Sequence, residues 1–183
     1  MYTRSINTIL RICAVVFLFG CVSLTSSFAH ANSDHFFANL QSLCGAQFVG
    51  AMNYPEDGQD SFANKELVAD FKSCTQNEVR VAFAVGEDQS RTWVFSHSED
   101  GLLLKHDHRH ADGSPDEITD YGGWAVPQGT SLSQSFAADP HTAKLIPEAS
   151  TNVWTVELSE DQKSLRYYLE RHGQPRFEAW LYQ

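Results

Sequence analysis

The sequence predicts an all-β protein, a single antiparallel meander β-barrel of about eight to ten strands with a short N-terminal helix. Three observations predict this fold. Short segments of alternating apolar and polar residues recur along the chain, and turn residues such as Asp-Gly separate them. Helical periodicity is nearly confined to one segment near the N-terminus. Few connections are long, so neighbouring strands pair in sequence order and closure removes the sheet edges. A β-sandwich is the alternative.

Composition limits the classes of function. The 183 residues include 13 Lys and Arg against 23 Asp and Glu, which gives a net charge of −10. Nucleic acids and anionic membrane surfaces both select clustered basic residues, so this balance argues against either as a partner. The chain contains no phosphate-binding, dinucleotide-binding, zinc-protease, nucleophile-elbow or Cys-x-x-Cys motif. No repeat or linker divides it, so residues 32–183 are predicted to form one domain.

Residues 1–31 resemble a removable signal peptide. Arg4 and Arg11 supply positive charge, residues 12–24 form an apolar run, and Ala29-His30-Ala31 provides a cleavage site. The run is shorter than the roughly 20 residues of a membrane span, although a membrane anchor remains an alternative. A lipoprotein acylated at Cys21 is a second alternative. We expect the mature protein to begin at Asn32 and to be periplasmic or secreted.

Removal of the signal peptide changes the charge and the cysteine content. It takes away two arginines and no acidic residue, so the net charge moves from −10 to −12. It leaves Cys44 and Cys74 as the two remaining cysteines. In an exported protein this pair predicts one disulfide, and two buried free thiols are the alternative.

The predicted elements follow in order. Ser33 is placed as a helix N-cap and Gly45 as the stop, with apolar residues at helical spacing between them at Phe36, Phe37, Leu40, Leu43 and Cys44. Alternation and turn signals then predict strands at 47–54, 66–74, 79–85, 91–97, 102–110, 117–121, 130–136, 152–158, 165–171 and 176–182. Residues 139–149 predict one or two helical turns. The two glycines of Tyr121-Gly122-Gly123-Trp124 indicate a bend or a close backbone approach.

Several segments carry a resemblance to known proteins. They are Arg91-Thr92-Trp93-Val94, residues 104–110 with Asp112-Gly113, Tyr121-Gly122-Gly123 and Thr151-Asn152-Val153-Trp154. On these the chain resembles a set of uncharacterised secreted bacterial proteins, which implies no activity. The order of helix, glycine, strand meander and late short helix is similar to that of the calycins, the lipocalins and fatty-acid-binding proteins. The chain departs from the lipocalin Gly-x-Trp opening, because Phe48 follows Gly45-Ala46-Gln47.

The histidines at His106, His108 and His110 are the most unusual feature of the sequence. Alternate residues of a strand share one face, so the three side chains are in line with Leu102 and Leu104. Two imidazoles on one strand face can bind zinc with a ligand from another strand, and zinc is the one cofactor that the sequence suggests. A solvated or hydrogen-bonded histidine face at a strand end is the alternative, and a ligand-facing role without metal is another.

The opposite face of the same strand offers a different candidate site. Lys105, Asp107 and Arg109 alternate in charge there, with Arg80 and Arg91 on neighbouring strands. If this face points into the barrel, it presents hydrogen-bond donors to a polar or anionic ligand. If it points outward, it is an ion-pair ladder of little energetic weight. The candidate ligand-binding residues are Arg91, Trp93, Lys105, Asp107, Arg109 and Tyr121.

These observations favour an exported β-barrel that binds a small hydrophobic or amphipathic molecule. An enzyme on the same barrel is a second hypothesis, with a histidine or the Asp107/Arg109 pair as acid–base group. The sequence contains no catalytic motif, and no residue is assigned a catalytic role. A structural or interaction protein of the cell envelope, with a barrel filled by side chains, is a third. The ligand and the oligomeric state are left open by the sequence.

Overall fold

A computed structural model describes residues 22–55 and 60–183, with side chains from residue 32 onward. It confirms the predicted all-β meander barrel with a short helix. Ten strands form a single antiparallel sheet. They are β1 (Gln47–Tyr54), β2 (Leu67–Cys74), β3 (Glu78–Val85), β4 (Asp88–Ser98), β5 (Gly101–His108), β6 (Tyr121–Trp124), β7 (Ser133–Ala137), β8 (Asn152–Leu158), β9 (Ser164–Arg171) and β10 (Gln174–Tyr182).

Each strand pairs with its neighbours in sequence, and β1 also pairs with β10. The sheet nearly closes where β6 meets β7. An isolated bridge links Ala125 to Phe136, and the Val126 N–H donates to the Ser135 carbonyl at 2.9 Å. Because the sheet curves round to meet itself, the fold is a barrel and the β-sandwich alternative is set aside.

Alternation along each strand builds the core of the barrel. In β3 and β8 every second residue is buried, as expected for strands with one face inward. The inward positions carry mainly Val, Leu and Phe, whose transfer from water drives the sheet to close around them. Fully buried members of this core include Phe48, Leu67, Phe71, Val81, Phe95, Leu104, Val156 and Leu181.

A helix, α1 (Val22–Ser42), closes one end of the barrel. The predicted apolar positions Phe36, Phe37 and Leu40 are buried in this helix, and Leu43 is buried just after its end. Side chains of α1 donate to carbonyls of the connections at that end: Asn39 to Ser131 at 2.8 Å, and Gln41 to Thr75 at 2.6 Å. The helix therefore caps this end by both apolar packing and hydrogen bonds.

The bounds of α1 differ from the predicted ones. Val22, the first residue of this part of the chain that the structure describes, is already helical, so Ser33 lies inside the helix and is not its N-cap. The expected cleavage after Ala31 would cut within the helix and leave the segment that packs on the barrel. Residues 1–21, which include the basic residues of the predicted signal peptide and Cys21, lie outside the described residues.

The predicted disulfide is present between Cys44 and Cys74. It joins the chain just after α1 to the last residue of β2, with the two Cα atoms 6.0 Å apart. On the loop-entropy estimate a crosslink of this span stabilises the fold by about 3–4 kcal/mol. The bridge thus ties the capping helix to the sheet covalently.

The prediction of a strand at 117–121 was wrong, because β6 begins only at Tyr121.

The two glycines of β6, Gly122 and Gly123, permit a close approach of neighbouring backbone. A Cβ on Gly122 would lie 2.0 Å from the Leu104 carbonyl oxygen, and one on Gly123 would lie 1.7 Å from the Ala137 oxygen. The expected close approach is therefore confirmed, and it occurs where the barrel closes.

The connection between β7 and β8 is helical, as predicted for residues 139–149. It contains α2 (Pro140–Leu145) and a 3-10 turn at Pro147–Ala149. Asp139 caps α2 by accepting a hydrogen bond from the Thr142 N–H. None of the helices in the described part of the chain is long and apolar enough to cross a membrane.

Candidate ligand-binding site

A cavity of about 300 Å³ opens at the end of the barrel opposite α1. In an antiparallel meander successive connections lie at alternate ends, so the connections that α1 does not contact surround this opening. Asp60 and Phe62 between β1 and β2, and Ile146 and Ala149 between β7 and β8, contribute to its wall. The fold therefore leaves one end of the barrel capped and the other accessible.

Aromatic side chains form the inner wall of this cavity. Phe83 and Trp93 stack with ring centroids 4.4 Å apart, and Trp93 stacks on Tyr167 at 4.5 Å. Phe177 lies edge-on to Tyr167 at 6.0 Å. The interior is thus lined by rings that are held in place by one another, which fixes the shape of the wall.

His106 reaches this wall from β5 and is hydrogen-bonded at both ring nitrogens. Its Nδ1 lies 3.1 Å from the Tyr121 carbonyl oxygen, and its Nε2 lies 2.7 Å from the Tyr167 hydroxyl. Because a carbonyl only accepts, Nδ1 carries the proton and Nε2 accepts from the hydroxyl. Burial lowers the pKa of His106 to about 3 and raises the pKa of Tyr167 well above its usual range. The pair is neutral at physiological pH.

His108 lies one pleat nearer the opening and forms a second histidine–tyrosine pair. The Tyr121 hydroxyl is 3.0 Å from His108 Nε2. Burial lowers the pKa of His108, and the charge of Arg91 lowers it further. Burial also raises the pKa of Tyr121 to about 12. This second pair is therefore a neutral hydrogen-bonding group at the level where the aromatic wall meets the opening.

Three arginines contribute to the rim of the cavity: Arg91, Arg171 and Arg176. The guanidinium of Arg91 lies 5.3 Å above the Phe62 ring, and its Nη1 is 2.5 Å from an Asp88 carboxylate oxygen.

The other two rim arginines come from the hairpin of β9 and β10. Arg171 Nε donates to the Asn152 side-chain oxygen at 2.8 Å. Arg176 Nη1 lies 3.6 Å from an Asp60 oxygen. The opening of the barrel is consequently basic in a chain whose net charge is −10.

The structure divides the predicted ligand-binding residues into two groups. Arg91, Trp93 and Tyr121 line the cavity. The remaining three, Lys105, Asp107 and Arg109, are absent from its wall, because the inward positions of β5 are those of Leu102, Leu104 and His106. The sequence did not decide which face of β5 points into the barrel. In the structure the face with Lys105, Asp107 and Arg109 points outward.

These outward residues form ion pairs. Asp107 accepts from Arg80 at 2.7 Å and from Arg109 at 2.7 Å. Burial acts to raise the pKa of Asp107, but the hydrogen bonds and charges of the two arginines outweigh it and hold the pKa below its usual range. Lys105 Nζ lies 2.5 Å from an oxygen of Asp139, the cap of α2. The ladder therefore ties β3, β5 and α2 together on the outside of the barrel.

The geometry does not favour zinc at the three histidines. A metal bound at Nε2 of His106 would have to displace the hydrogen bond from the Tyr167 hydroxyl, and one bound at Nε2 of His108 would have to displace that from the Tyr121 hydroxyl. His110 lies beyond the end of β5 with an exposed side chain, and its Nδ1 is 4.0 Å from Asp116. Across residues 22–55 and 60–183, no group of three or more His, Cys, Asp or Glu side chains is arranged to hold a metal ion.

Three residues of the site, Arg171, Asn152 and Tyr167, were not predicted from the sequence. A signal for them exists in the alternation of β9, because Arg171 is in phase with the apolar positions Leu165, Tyr167 and Leu169. A charged residue in phase with a buried face indicates a group at the edge of a cavity or an internal ion pair. Asn152 pairs directly with Arg171 across β8 and β9, so it faces the same way.

Comparison of the chain with protein-family models, with curated proteins and with solved structures gives no match. The resemblance to calycins and to secreted bacterial proteins therefore stays a prediction, and the cavity itself is what indicates a function.

Proposed function

We propose that this protein is an exported binding protein that holds one small molecule with an apolar body in the open end of its barrel. The observation that carries the proposal is the cavity of about 300 Å³, walled by aromatic rings and rimmed by a few polar groups. Ligand pockets have volumes of roughly 300–1,000 Å³, an apolar lining and a small number of placed polar groups. This cavity lies at the lower end of that range, which suits a compact ligand.

The state of the polar groups supports binding rather than acid–base catalysis. A general acid or base works best when its pKa lies near the working pH. The pKa of His106 is about 3 and that of Tyr121 is about 12, so neither exchanges a proton readily at neutral pH. Both act as fixed hydrogen-bonding groups that can orient a ligand.

Export is part of the proposal. The basic and apolar segments of residues 1–31 and the small residues at Ala29 and Ala31 support secretion across a membrane. The disulfide between Cys44 and Cys74 is compatible with an oxidising compartment. N-terminal sequencing of the protein recovered from the expressing cell's envelope is expected to begin at Asn32. A chain that retains Met1, or one acylated at Cys21, contradicts this expectation.

Titration with the neutral fluorescent probe N-phenyl-naphthylamine tests binding in the cavity. We expect saturable enhancement of probe fluorescence with one site per chain. Leu169 lines the cavity, so Leu169→Trp fills part of it and is expected to weaken probe binding by about 10-fold or more. Glu170→Trp introduces the same side chain on the outward face of the same strand, and we expect it to leave probe binding unchanged.

Two outcomes contradict the proposal. Fluorescence that rises without saturation shows only weak surface adsorption, which is the result expected for a structural protein of the envelope. Equal loss of binding in Leu169→Trp and Glu170→Trp shows that the probe does not occupy the cavity. Urea denaturation of both variants establishes that each is folded before the affinities are compared.

A further inference from the structure

The charge at the opening of the cavity is opposite to that of the whole chain. The chain has a net charge of −10. Three arginines and Asp60 line the cavity, and Asp88 pairs with Arg91 beside it, so the arginines exceed these carboxylates by one. Burial lowers the pKa values of the two histidines, so that they add no charge at neutral pH. A local excess of positive charge beside an apolar cavity attracts an anionic ligand and is screened less than at an open surface.

Arg171 is the arginine best placed for an anion. Its Nε is held by the side-chain oxygen of Asn152, which is 4% exposed. This hydrogen bond orients the guanidinium and leaves its two Nη groups for another partner. Within residues 22–55 and 60–183 Arg171 makes no ion pair, whereas Arg91 and Arg176 each have an aspartate nearby. A guanidinium oriented by a neutral, buried partner is suited to a bidentate contact with an oxyanion.

Arg91 reaches the same cavity from β4. Cross-strand pairing places it directly opposite His108, so both side chains leave the sheet on the inner face. Its partner Asp88 has a side chain 44% exposed, and so the ion pair lies toward solvent. Arg91 thus lies beside the histidine–tyrosine pairs, where a second contact to a bound anion can form.

The wall below these arginines favours a flat ligand. The stack of Phe83, Trp93 and Tyr167 has interplanar angles of 24° and 25° between neighbours. His106 and Tyr121 form another stack with an interplanar angle of 9°. Rings held in stacks offer ring faces and edges to an entering aromatic group, and each such contact adds to the energy of area burial alone.

From this arrangement, and resting on the proposed function, we infer that the ligand is a small aromatic carboxylate. Its carboxylate binds Arg171 and Arg91 at the rim, and its ring system packs against the aromatic wall of the cavity. A carboxylate matches the planar fork of a guanidinium, and one or two rings suit a cavity with the volume of about ten water molecules.

Calorimetric titration with three ligands of one carbon skeleton separates charge from shape. They are naphthalene-carboxylate, its neutral carboxamide and the fully saturated bicyclic carboxylate. We expect the aromatic carboxylate to bind about 10-fold or more tightly than the carboxamide at low salt, with a smaller ratio at high salt. We expect it to bind roughly 2- to 12-fold more tightly than the saturated carboxylate, because only the planar rings stack on the wall.

Substitutions test which arginines are responsible. Arg171→Met and Arg91→Met are each expected to reduce the preference for carboxylate over carboxamide while the carboxamide affinity changes little. Arg171→Lys keeps the charge without the fork and is expected to retain part of the preference. The control is Arg166→Met on the outward face of the same strand, where Arg166 pairs with Glu157 and Glu178. This control is expected to keep the wild-type preference.

The inference and the proposed function fail in different ways. If N-phenyl-naphthylamine binds in the cavity but carboxylate and carboxamide bind equally, the anion site is wrong and the binding function stands. The same holds if Arg166→Met reduces the preference as much as Arg171→Met. A saturated carboxylate that binds as tightly as the aromatic one overturns the aromatic specificity. If none of the ligands nor the neutral probe binds, the proposed function fails as well.

Discussion

Buried His106 is expected to make the stability of this protein depend on pH in a specific direction. In the fold burial lowers its pKa from 6.5 to about 3. Between these two values the unfolded chain binds a proton at this residue and the folded chain does not. The free energy of unfolding therefore rises with pH in this range. The contribution of neutral His106 to it is fully present above pH 6.5 and is lost progressively as the pH falls toward 3. The perturbation that isolates this contribution is His106→Gln, which keeps a donor and an acceptor but does not titrate.

The size of the effect follows from the two pKa values. One pKa unit corresponds to about 1.4 kcal/mol. With pKa values of 6.5 and about 3, lowering the pH from 7 to 5 removes about 2 kcal/mol of the free energy of unfolding through His106. At pH 7 the variant is expected to be less stable than the wild type by about 1–2 kcal/mol, because the hydrogen bond from Tyr167 is weakened. At pH 5 that difference is expected to vanish.

Urea denaturation followed by tryptophan fluorescence at pH 5, 6 and 7 measures these differences. His141→Gln serves as the control, since His141 is exposed and its loss removes a histidine without changing the core. The wild type and the control are expected to lose more stability between pH 7 and 5 than His106→Gln does. If the free energy of unfolding of the three proteins changes equally between pH 7 and 5, then His106 does not resist protonation. In that case the assignment of His106 and Tyr167 as a neutral pair is wrong.

Three further changes test the architecture. Replacing Cys44 and Cys74 by serine is expected to cost about 3–4 kcal/mol in urea denaturation, and alkylation of the wild type without reductant is expected to label no thiol. Two labelled thiols would exclude the bridge. Phe36→Ala removes a fully buried ring from α1 and is expected to cost about 3–5 kcal/mol, whereas a change below about 1 kcal/mol would mean that the helix does not cap the barrel. Gly123→Ala places a Cβ 1.7 Å from the Ala137 oxygen, so we expect a loss of about 1–3 kcal/mol and faster amide exchange between β6 and β7; wild-type exchange there would contradict the tight closure.

Local sequence pattern was sufficient for most strands of the barrel. Residues 47–54 and 152–158 were predicted with the bounds that β1 and β8 have in the structure. Turn or glycine signals flank both strands. In β8 the alternating pattern and the final burial agree, whereas in β1 only Phe48 is buried and the apolar Val49 is exposed. The strand predicted at 117–121 was wrong because β6 has little alternation. Its position is determined by two glycines that allow contact with backbone from β5 and from the end of β7.

The candidate site was only partly predictable. The pattern of β5 placed His106 and His108 on one face, but a shift of one residue would have exchanged that face with Lys105 and Asp107. The sequence therefore left two candidate sites open, one on each face. Packing of α1 and the aromatic core decided the matter, since the face with Leu102 and Leu104 buries more apolar surface than the charged one.

The sequence by itself determined the all-β class, the order of the strands, the disulfide and the unusual face of histidines, because each depends on periodicity or on residue counts along the chain. Only the tertiary structure decided which face is interior, that one end is capped and the other open, and that Arg91 and Arg171 line the same cavity. Arg91 lies on β4 and Arg171 on β9, which are far apart in sequence and are not neighbours in the sheet. They come together because the curved sheet closes, and closure is a property of the whole chain that no local pattern encodes.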